Sequence, residues 1–212
     1  MIYHFTESGS LGHFKFRNEQ IANLNRNKPL MSDSFFKKLL KYPFTIEGYV
    51  YYSNAKKNIH SILKNTIPKN IQNESFYDYW VEDMSKICQM FCLFQKEKKI
   101  SFWVGTQRGC NRYHVDMVPF RLLVTYAGQG TELLPNYAAN RNAFLEGKPN
   151  GEIIKNKNAI EYIDSWDIAV FRGGKSGILH RTPDSVSDGQ SSILMRLDES
   201  SFLEDLRRVN GF

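Results

Sequence analysis

Apolar positions recur every three or four residues in three stretches of the first hundred residues, which is typical of amphipathic helices. The stretches are SDSFFKKLLKY (32–42), NAKKNIHSILKN (54–65) and NESFYDYWVEDMSKICQMFCLFQKE (73–97). Ser32 or Asp33 is a suitable N-cap for the first helix, and Asn73 or Ser75 for the third. We therefore predict that residues 1–99 are mainly helical. The third helix would bury an apolar stripe made of Phe76, Tyr79, Trp80, Met84, Ile87, Met90, Phe91 and Phe94.

From residue 100 onward the pattern changes to short runs of β-branched, aromatic and aliphatic residues separated by glycine and proline. Several short strands without interleaved helices favour a sandwich or barrel over a parallel α/β sheet. We expect one α+β domain over residues 1–212, with a β jelly-roll core over 100–212 packed against the N-terminal helices. The predicted strands are ISFWVGT (100–106), RYHVDMV (112–118), FRLLVTYAG (120–128), IAVFRGG (168–174), GILHR (177–181) and SSILMRLD (191–198).

Composition narrows the class of protein only a little. The 212 residues carry a formal charge of +6, which makes nucleic acid one candidate partner. The basic residues are scattered among acids, as on solvated helix faces. There is no long apolar run, no secretory signal pattern at the start and an odd number of cysteines, three, so we expect a cytoplasmic protein without a membrane span.

The segment RYHVDMV contains the most informative residues. On a strand, alternate side chains share a face, so His114 and Asp116 would point the same way. A third ligand must come from elsewhere, and His180 in GILHRTP is the candidate. Two histidines and one carboxylate on one face form the ligand set of non-haem Fe(II) oxygenases. The sequence therefore predicts one divalent metal held by these three side chains.

The order of motifs in the second half resembles a known architecture. His-x-Asp, an apolar strand, Gly-Thr-Glu, Trp-Asp-x-Ala-x-Phe-Arg-Gly, Leu-His-Arg-Thr-Pro and a final strand carrying arginine are similar to the double-stranded β-helix (cupin-like) core of 2-oxoglutarate/Fe(II) dioxygenases. More narrowly, CNRYHVDMVPFRLLVTYAGQGTELLP and GILHRTP resemble the bacterial family called domain of unknown function 1826. The close resemblance spans residues 102–198.

This resemblance implies a mononuclear Fe(II) enzyme that uses 2-oxoglutarate to hydroxylate or demethylate an unknown small or macromolecular substrate. His114, Asp116 and His180 match the iron ligands, and Arg196 occupies the place of the arginine that grips the far carboxylate of 2-oxoglutarate. Strand alternation supports this role, since Ile193, Met195 and Leu197 suit the core and leave Arg196 on the other face.

Five further residues are candidates for the pocket or its surroundings. Tyr126 could donate its hydroxyl to a bound oxyacid, or be a hydrogen-bonded core tyrosine. Arg121 is a second candidate anion clamp, and Glu132 could orient a ligand histidine or belong to its turn. We expect Cys110 to be a small core residue rather than a thiol at the mouth of the site, and Arg181 to favour an acidic substrate.

Two other classes of function fit the same sequence. A cupin-like protein with these ligands could bind Zn, Mn or Ni without 2-oxoglutarate, as an accessory protein or a non-oxidative enzyme, because the ligands alone do not fix the metal. Alternatively, the chain could be a basic interaction module with a vestigial metal site. The sequence has no glycine-rich phosphate loop and no Gly-x-Ser-x-Gly motif, which argues against a P-loop or α/β-hydrolase chemistry.

Overall fold

The computed structural model describes residues 2–187, 192–203 and 205. Seven α-helices and ten strands lie in this part of the chain. The helices are α1 (Ser32–Leu39), α2 (Ala55–Leu63), α3 (Lys69–Gln72), α4 (Ser75–Gln95), α5 (Arg141–Leu145), α6 (Asn150–Ile153) and α7 (Asp184–Ser187). The strands are β1 (Ile2–His4), β2 (Ile21–Leu24), β3 (Thr45–Tyr51), β4 (Lys99–Gly105), β5 (Phe120–Ala127), β6 (Glu132–Leu134), β7 (Glu161–Tyr162), β8 (Ile168–Arg172), β9 (Leu179–Arg181) and β10 (Ile193–Asp198).

The strands form two sheets. The large sheet has the order β1-β2-β8-β5-β10-β4-β3, in which β1 and β2 are parallel and every other pair is antiparallel. The small sheet has the order β7-β6-β9 and is antiparallel. The fold is therefore a mixed α+β fold with a large sheet and helices. The described strands do not by themselves define the double-stranded β-helix that was predicted.

Strand alternation separates the two faces of the large sheet. On one face, apolar residues of β4, β5 and β10 join α1, α2 and α4 in the main core, and those of β10 are Ile193, Met195 and Leu197, as predicted. On the other face, Leu123 packs in a second apolar cluster with Leu133 of the small sheet. The helices thus cover one face, and the other is free to build a site.

Helix α4 follows the predicted pattern closely. It buries Phe76, Trp80 and the other apolar residues of the predicted stripe, except that Tyr79 is 51% exposed. Cys88 and Cys92 lie buried on the same helix as free thiols. No helix in the described ranges is long and apolar enough to cross a membrane.

Several local predictions were wrong. No side chain caps α1, because the chain enters it through Met31 in a left-handed conformation and the buried Ser32 hydroxyl has no partner. Glu74 precedes α4, so neither Asn73 nor Ser75 is its N-cap.

The N-terminal part, although mainly helical, also supplies β1, β2 and β3 to the large sheet. Strand β10 begins at Ile193, and the predicted strand residue Ser191 lies outside the described residues. The single domain over 1–212 stays a prediction, since Met1 and residues 188–191, 204 and 206–212 also lie outside them.

Candidate metal centre

Two backbone hydrogen bonds bring His114 and His180 side by side. His180 lies on β9, and His114 forms an isolated antiparallel bridge with it. Each residue donates its backbone N–H to the other's carbonyl oxygen at 3.0 Å. The imidazole ring centres are consequently 4.4 Å apart.

Asp116 reaches the same place by a different route from the one predicted. Residues 112–118 are not a strand, since only His114 makes a bridge and the chain then turns away. The Asp116 carbonyl accepts the backbone N–H of Gly174 at 2.7 Å, which ties this segment to the turn after β8. A loop conformation, rather than strand alternation, therefore places the Asp116 side chain.

A close backbone contact at Gly173 fixes this loop. A Cβ atom built on Gly173 would lie 1.9 Å from the carbonyl oxygen of Val118 and 2.6 Å from that of Asp116. Such distances are far inside van der Waals contact, so the loop adopts this position only because residue 173 has no side chain.

The ligand atoms of His114, Asp116 and His180 lie within 4.8 Å of one another. The Nδ1 atom of His180 is 3.1 Å from the carbonyl oxygen of Ile178, and that of His114 is 3.0 Å from the carbonyl oxygen of Arg112. A carbonyl oxygen only accepts hydrogen bonds, so each Nδ1 carries the proton in a neutral ring. The lone pair of each histidine is then on Nε2, the arrangement that metal-binding histidines use.

The carboxylate of Asp116 has one oxygen without a partner. Asp116 is 2% exposed, and its Oδ2 atom is buried without a hydrogen bond. This oxygen lies 3.4 Å from Nε2 of His180. Burial lowers the pKa of His180 to about 4, so the ring is neutral at pH 7 and the contact is not an ion pair. A carboxylate oxygen and a nitrogen lone pair thus face each other, which fits a divalent cation between them.

Arg121 holds the other oxygen of this carboxylate. Its Nη1 atom donates to Oδ1 of Asp116, and its Nε atom donates to Oδ1 of Asp198 at 2.7 Å. Arg121 was predicted as a possible anion clamp for a ligand, but the structure shows it bridging two buried carboxylates. This contact engages Oδ1 and leaves Oδ2 as the oxygen of Asp116 without a hydrogen bond within the described structure.

A cavity of about 170 Å³ opens beside the three side chains. It lies on the face of the large sheet that the helices do not cover, because the β4, β5 and β10 residues in its lining alternate with those of the main core. Its lining consists of Trp103, Gln107, Arg108, Gly109, Cys110, His114, Asp116, Arg121, Leu123, Thr131, His180, Arg181, Thr182, Leu194 and Arg196.

Arg196 lies in this lining. Its side chain is 25% exposed, and its Nε atom is 3.0 Å from Oδ2 of Asp198 without the direction of a hydrogen bond. The guanidinium also lies over the ring of Trp103, 5.5 Å from its centre. Asp198 also pairs with Arg121, so a single carboxylate is shared between Arg121 and Arg196.

Tyr126 lies elsewhere, and its predicted contact with an oxyacid in this cavity was wrong. Strand alternation places it on the helix face of β5, opposite Arg121. Its hydroxyl donates to Oδ2 of Asp83 on α4 at 2.8 Å, and its ring packs against Trp80 and Trp166. It is the hydrogen-bonded core tyrosine that the sequence left as the alternative.

Glu132 and Arg181 form a buried ion pair beside the cavity. The Nε atom of Arg181 donates to Oε1 of Glu132 at 2.7 Å, and the Tyr113 hydroxyl donates to the same oxygen. In the described part of the chain, the Glu132 carboxylate has hydrogen bonds with Tyr113, Tyr162 and Arg181 and none with a ligand histidine, which contradicts its predicted role in orienting one. Arg181 lines the cavity but also contacts Asp184, so two carboxylates already balance its charge.

Two neighbouring loop residues complete the wall. Cys110 is exposed and lines the cavity, so the expected core position was wrong. Arg108 also lines the cavity, and sequence reasoning missed it. The segment TQRGC that carries it matches no motif, and a single arginine in a loop gives no periodic signal.

Comparison with known proteins gives one sequence family and several aligned structures of low sequence identity. The crystal structure of IDO from Bacillus thuringiensis aligns with TM-score 0.45 and 9% identity, over 92% of this chain and 96% of that one. A bsmA homolog from Methylobium petroleophilum gives TM-score 0.45 and 8% identity, over 92% and 94%. The dioxygenase for auxin oxidation 1 from Arabidopsis thaliana gives TM-score 0.38 and 8% identity, over 94% and 93%.

No curated protein matches this chain by sequence. The profile of one family, described as "Protein of unknown function (DUF1826)", matches residues 11–198, which is most of the chain and includes all three candidate ligands. The chain belongs to this family.

Proposed function

We propose that this protein is a mononuclear non-haem Fe(II), 2-oxoglutarate-dependent dioxygenase that hydroxylates or demethylates an organic substrate. The observation that carries the proposal is the buried Oδ2 of Asp116, without a hydrogen bond and 3.4 Å from Nε2 of His180. Two histidines and one carboxylate with converging ligand atoms form the ligand set of non-haem Fe(II) oxygenases. The sequence resemblance to 2-oxoglutarate/Fe(II) dioxygenases adds the reaction class.

The residues around the ligands prepare them to hold the metal. The carbonyl oxygens of Ile178 and Arg112 fix the histidine tautomers, and Arg121 holds the Asp116 carboxylate from its far side. The metal, when bound, would supply the redox chemistry, while the cavity limits the access of water. Removing a supporting residue of this kind typically lowers metal affinity by about 10- to 100-fold.

Arg196 is the residue we assign to the far carboxylate of 2-oxoglutarate. It lines the same cavity as the three ligands, and its Nε atom has no directed hydrogen bond inside the protein. Because Asp198 is shared with Arg121, the charge of Arg196 is only partly balanced. A planar guanidinium binds a carboxylate through two parallel hydrogen bonds, which suits this role.

The arrangement of the two sheets supports the proposal that the core is a double-stranded β-helix. Large and small sheets face each other across Leu123 and Leu133. The cavity draws its lining from both, since Leu123 belongs to β5 and His180 to β9. A jelly-roll of this kind places metal ligands between its sheets.

The test is anaerobic titration with Fe(II), followed by visible absorption with and without 2-oxoglutarate. Wild type, His114→Ala and the control His13→Ala are compared, because His13 is exposed and outside the cavity. We expect a charge-transfer band that needs both Fe(II) and 2-oxoglutarate in wild type and His13→Ala, and no band in His114→Ala.

If wild type binds one equivalent of Fe(II) but shows no charge-transfer band with 2-oxoglutarate, the use of 2-oxoglutarate is refuted. The cupin-like reading with Zn, Mn or Ni would then replace it. Absence of metal binding in wild type would refute the metal centre itself.

A further inference from the structure

Arg108 is a cation of the cavity wall that the proposed function does not use. It lies in the loop after β4, and its Nη1 and Nη2 atoms donate to the carbonyl oxygen of Gln129 at 2.8 Å and to Oγ1 of Thr131 at 3.0 Å. Its Nε atom is buried and has no hydrogen bond. A guanidinium has five N–H donors, so these two contacts leave most of its capacity unused.

The partners of Arg108 are neutral, which distinguishes it from the other arginines in the lining. Within the described residues, no carboxylate lies at ion-pair distance from it. The other arginines each have one, namely Asp116 and Asp198 for Arg121, Glu132 and Asp184 for Arg181, and Asp198 for Arg196. Arg108 therefore has a charge that the described structure does not balance.

The positive charge of Arg108 is energetically unfavourable in these surroundings. Burial lowers its pKa to about 10, so the side chain is still protonated at pH 7. The two hydrogen bonds of Arg108 join the loop after β4 to the turn before β6. They need N–H donors but no positive charge, so a neutral glutamine could make them. A partly buried cation without a charged partner is unfavourable unless an anion joins it.

We propose that Arg108 binds the carboxylate of the organic substrate, which makes that substrate a small acid. This inference rests on the proposed function, in which Arg196 binds the co-substrate. The apolar lining residues Trp103, Leu123 and Leu194 offer contact surface for a short hydrocarbon chain attached to the carboxylate. At about 170 Å³ the cavity is smaller than a typical ligand pocket, which favours a small acid.

The experiment measures the affinity of simple acids and of their uncharged analogues. Acetate, butanoate and hexanoate, with the matching primary amides, are titrated by ligand-observed NMR into protein loaded with Zn(II) and 2-oxoglutarate, and into protein without either. Wild type is compared with Arg108→Gln and Arg108→Lys. The control is Arg17→Gln, which removes one positive charge from an exposed ion pair with Glu19 outside the cavity.

We expect wild type and Arg17→Gln to bind the best acid at least about tenfold more tightly than its amide. Tenfold corresponds to about 1.4 kcal/mol, close to the lower end of the range for a hydrogen bond to a charged group. Arg108→Gln should bind acid and amide equally, while its affinities for Zn(II) and 2-oxoglutarate stay unchanged. Arg108→Lys should keep part of the preference, because a point charge replaces the two-pronged guanidinium.

Wild type without a preference for acids, including wild type that binds none of the probes, would overturn the inference. An unchanged preference in Arg108→Gln would do the same. A loss of 2-oxoglutarate affinity in Arg108→Gln would assign Arg108 to the co-substrate instead. If Arg108→Gln does not fold, the acid preference of Arg108→Lys is compared with that of wild type instead, and an unchanged preference would overturn the inference.

Failure of the proposed function gives a different result. In that case wild type would not bind 2-oxoglutarate. The preference of Arg108 for acids over amides would still be measured in the titrations without metal and 2-oxoglutarate.

Discussion

Replacing Gly173 with alanine tests how the loop at the candidate metal centre is held. The new Cβ atom would lie 1.9 Å from the Val118 carbonyl oxygen, whereas Cβ atoms in proteins essentially never come within 3.0 Å of such a neighbour. The loop must therefore move by about 1 Å or more. This movement would carry the backbone of Asp116, whose own carbonyl oxygen is 2.6 Å from the added atom.

Two effects of this displacement can be measured separately. Overpacking of this kind typically lowers the free energy of unfolding by about 1–3 kcal/mol, measured by urea denaturation of metal-free protein. Because Asp116 moves away from the histidines, we expect metal affinity to fall by about 10- to 100-fold, as for the loss of a supporting residue. A Zn(II) titration against a competing chelator measures this second effect.

Gly151→Ala is the matched control. Gly151 is exposed on α6, and a Cβ atom there would meet nothing within 4 Å, so both quantities should stay near the wild-type values. Gly173→Ala with wild-type metal affinity would show that the loop position does not control the ligand, and the reasoning from the glycine contact would be refuted.

Three further substitutions test separate contacts. Arg121→Gln should lower metal affinity by about 10- to 100-fold without abolishing it, because Asp116 loses its supporting cation, and an unchanged affinity would contradict this role. Glu132→Gln should lower the free energy of unfolding by about 1.5–3 kcal/mol, because Arg181 loses its buried charged partner and keeps only Asp184, which is 67% exposed. A loss below about 1 kcal/mol in urea denaturation would contradict it. Tyr126→Phe should leave Fe(II) and 2-oxoglutarate binding unchanged in the absorption assay, since its hydroxyl lies in the helix-facing core.

The long and strongly patterned elements could be predicted from the sequence. Helix α4 repeats its apolar positions over 21 residues. Strand β10 alternates over most of its length because one face meets the helices, whereas β5 is a run of strand-forming residues buried on both faces. Strand β3 was missed because it lies at the edge of the large sheet and buries only Ile46 and Val50. Strands β1 and β7 have three and two residues, which is too short for a period to show.

The sequence predicted which residues form the candidate site but not how they are arranged in space. The spacing of His114 and Asp116 suggested strand alternation, whereas the structure uses a bridge for one and a loop for the other. Arg108 was missed because its importance lies in the absence of a nearby carboxylate, and the sequence does not show which charges are neighbours in space. Tyr126 was misplaced because residues of one strand face opposite sides of the sheet, and only the fold shows which side holds the cavity.

The measurement that tests the central claim most directly is anomalous diffraction at the zinc edge from crystals grown with Zn(II). The account predicts one strong peak about 2.0–2.2 Å from Nε2 of His114, Nε2 of His180 and Oδ2 of Asp116, and no such peak in crystals of Asp116→Asn. Zinc bound only elsewhere, or an empty position between these three atoms in zinc-loaded crystals, would contradict it.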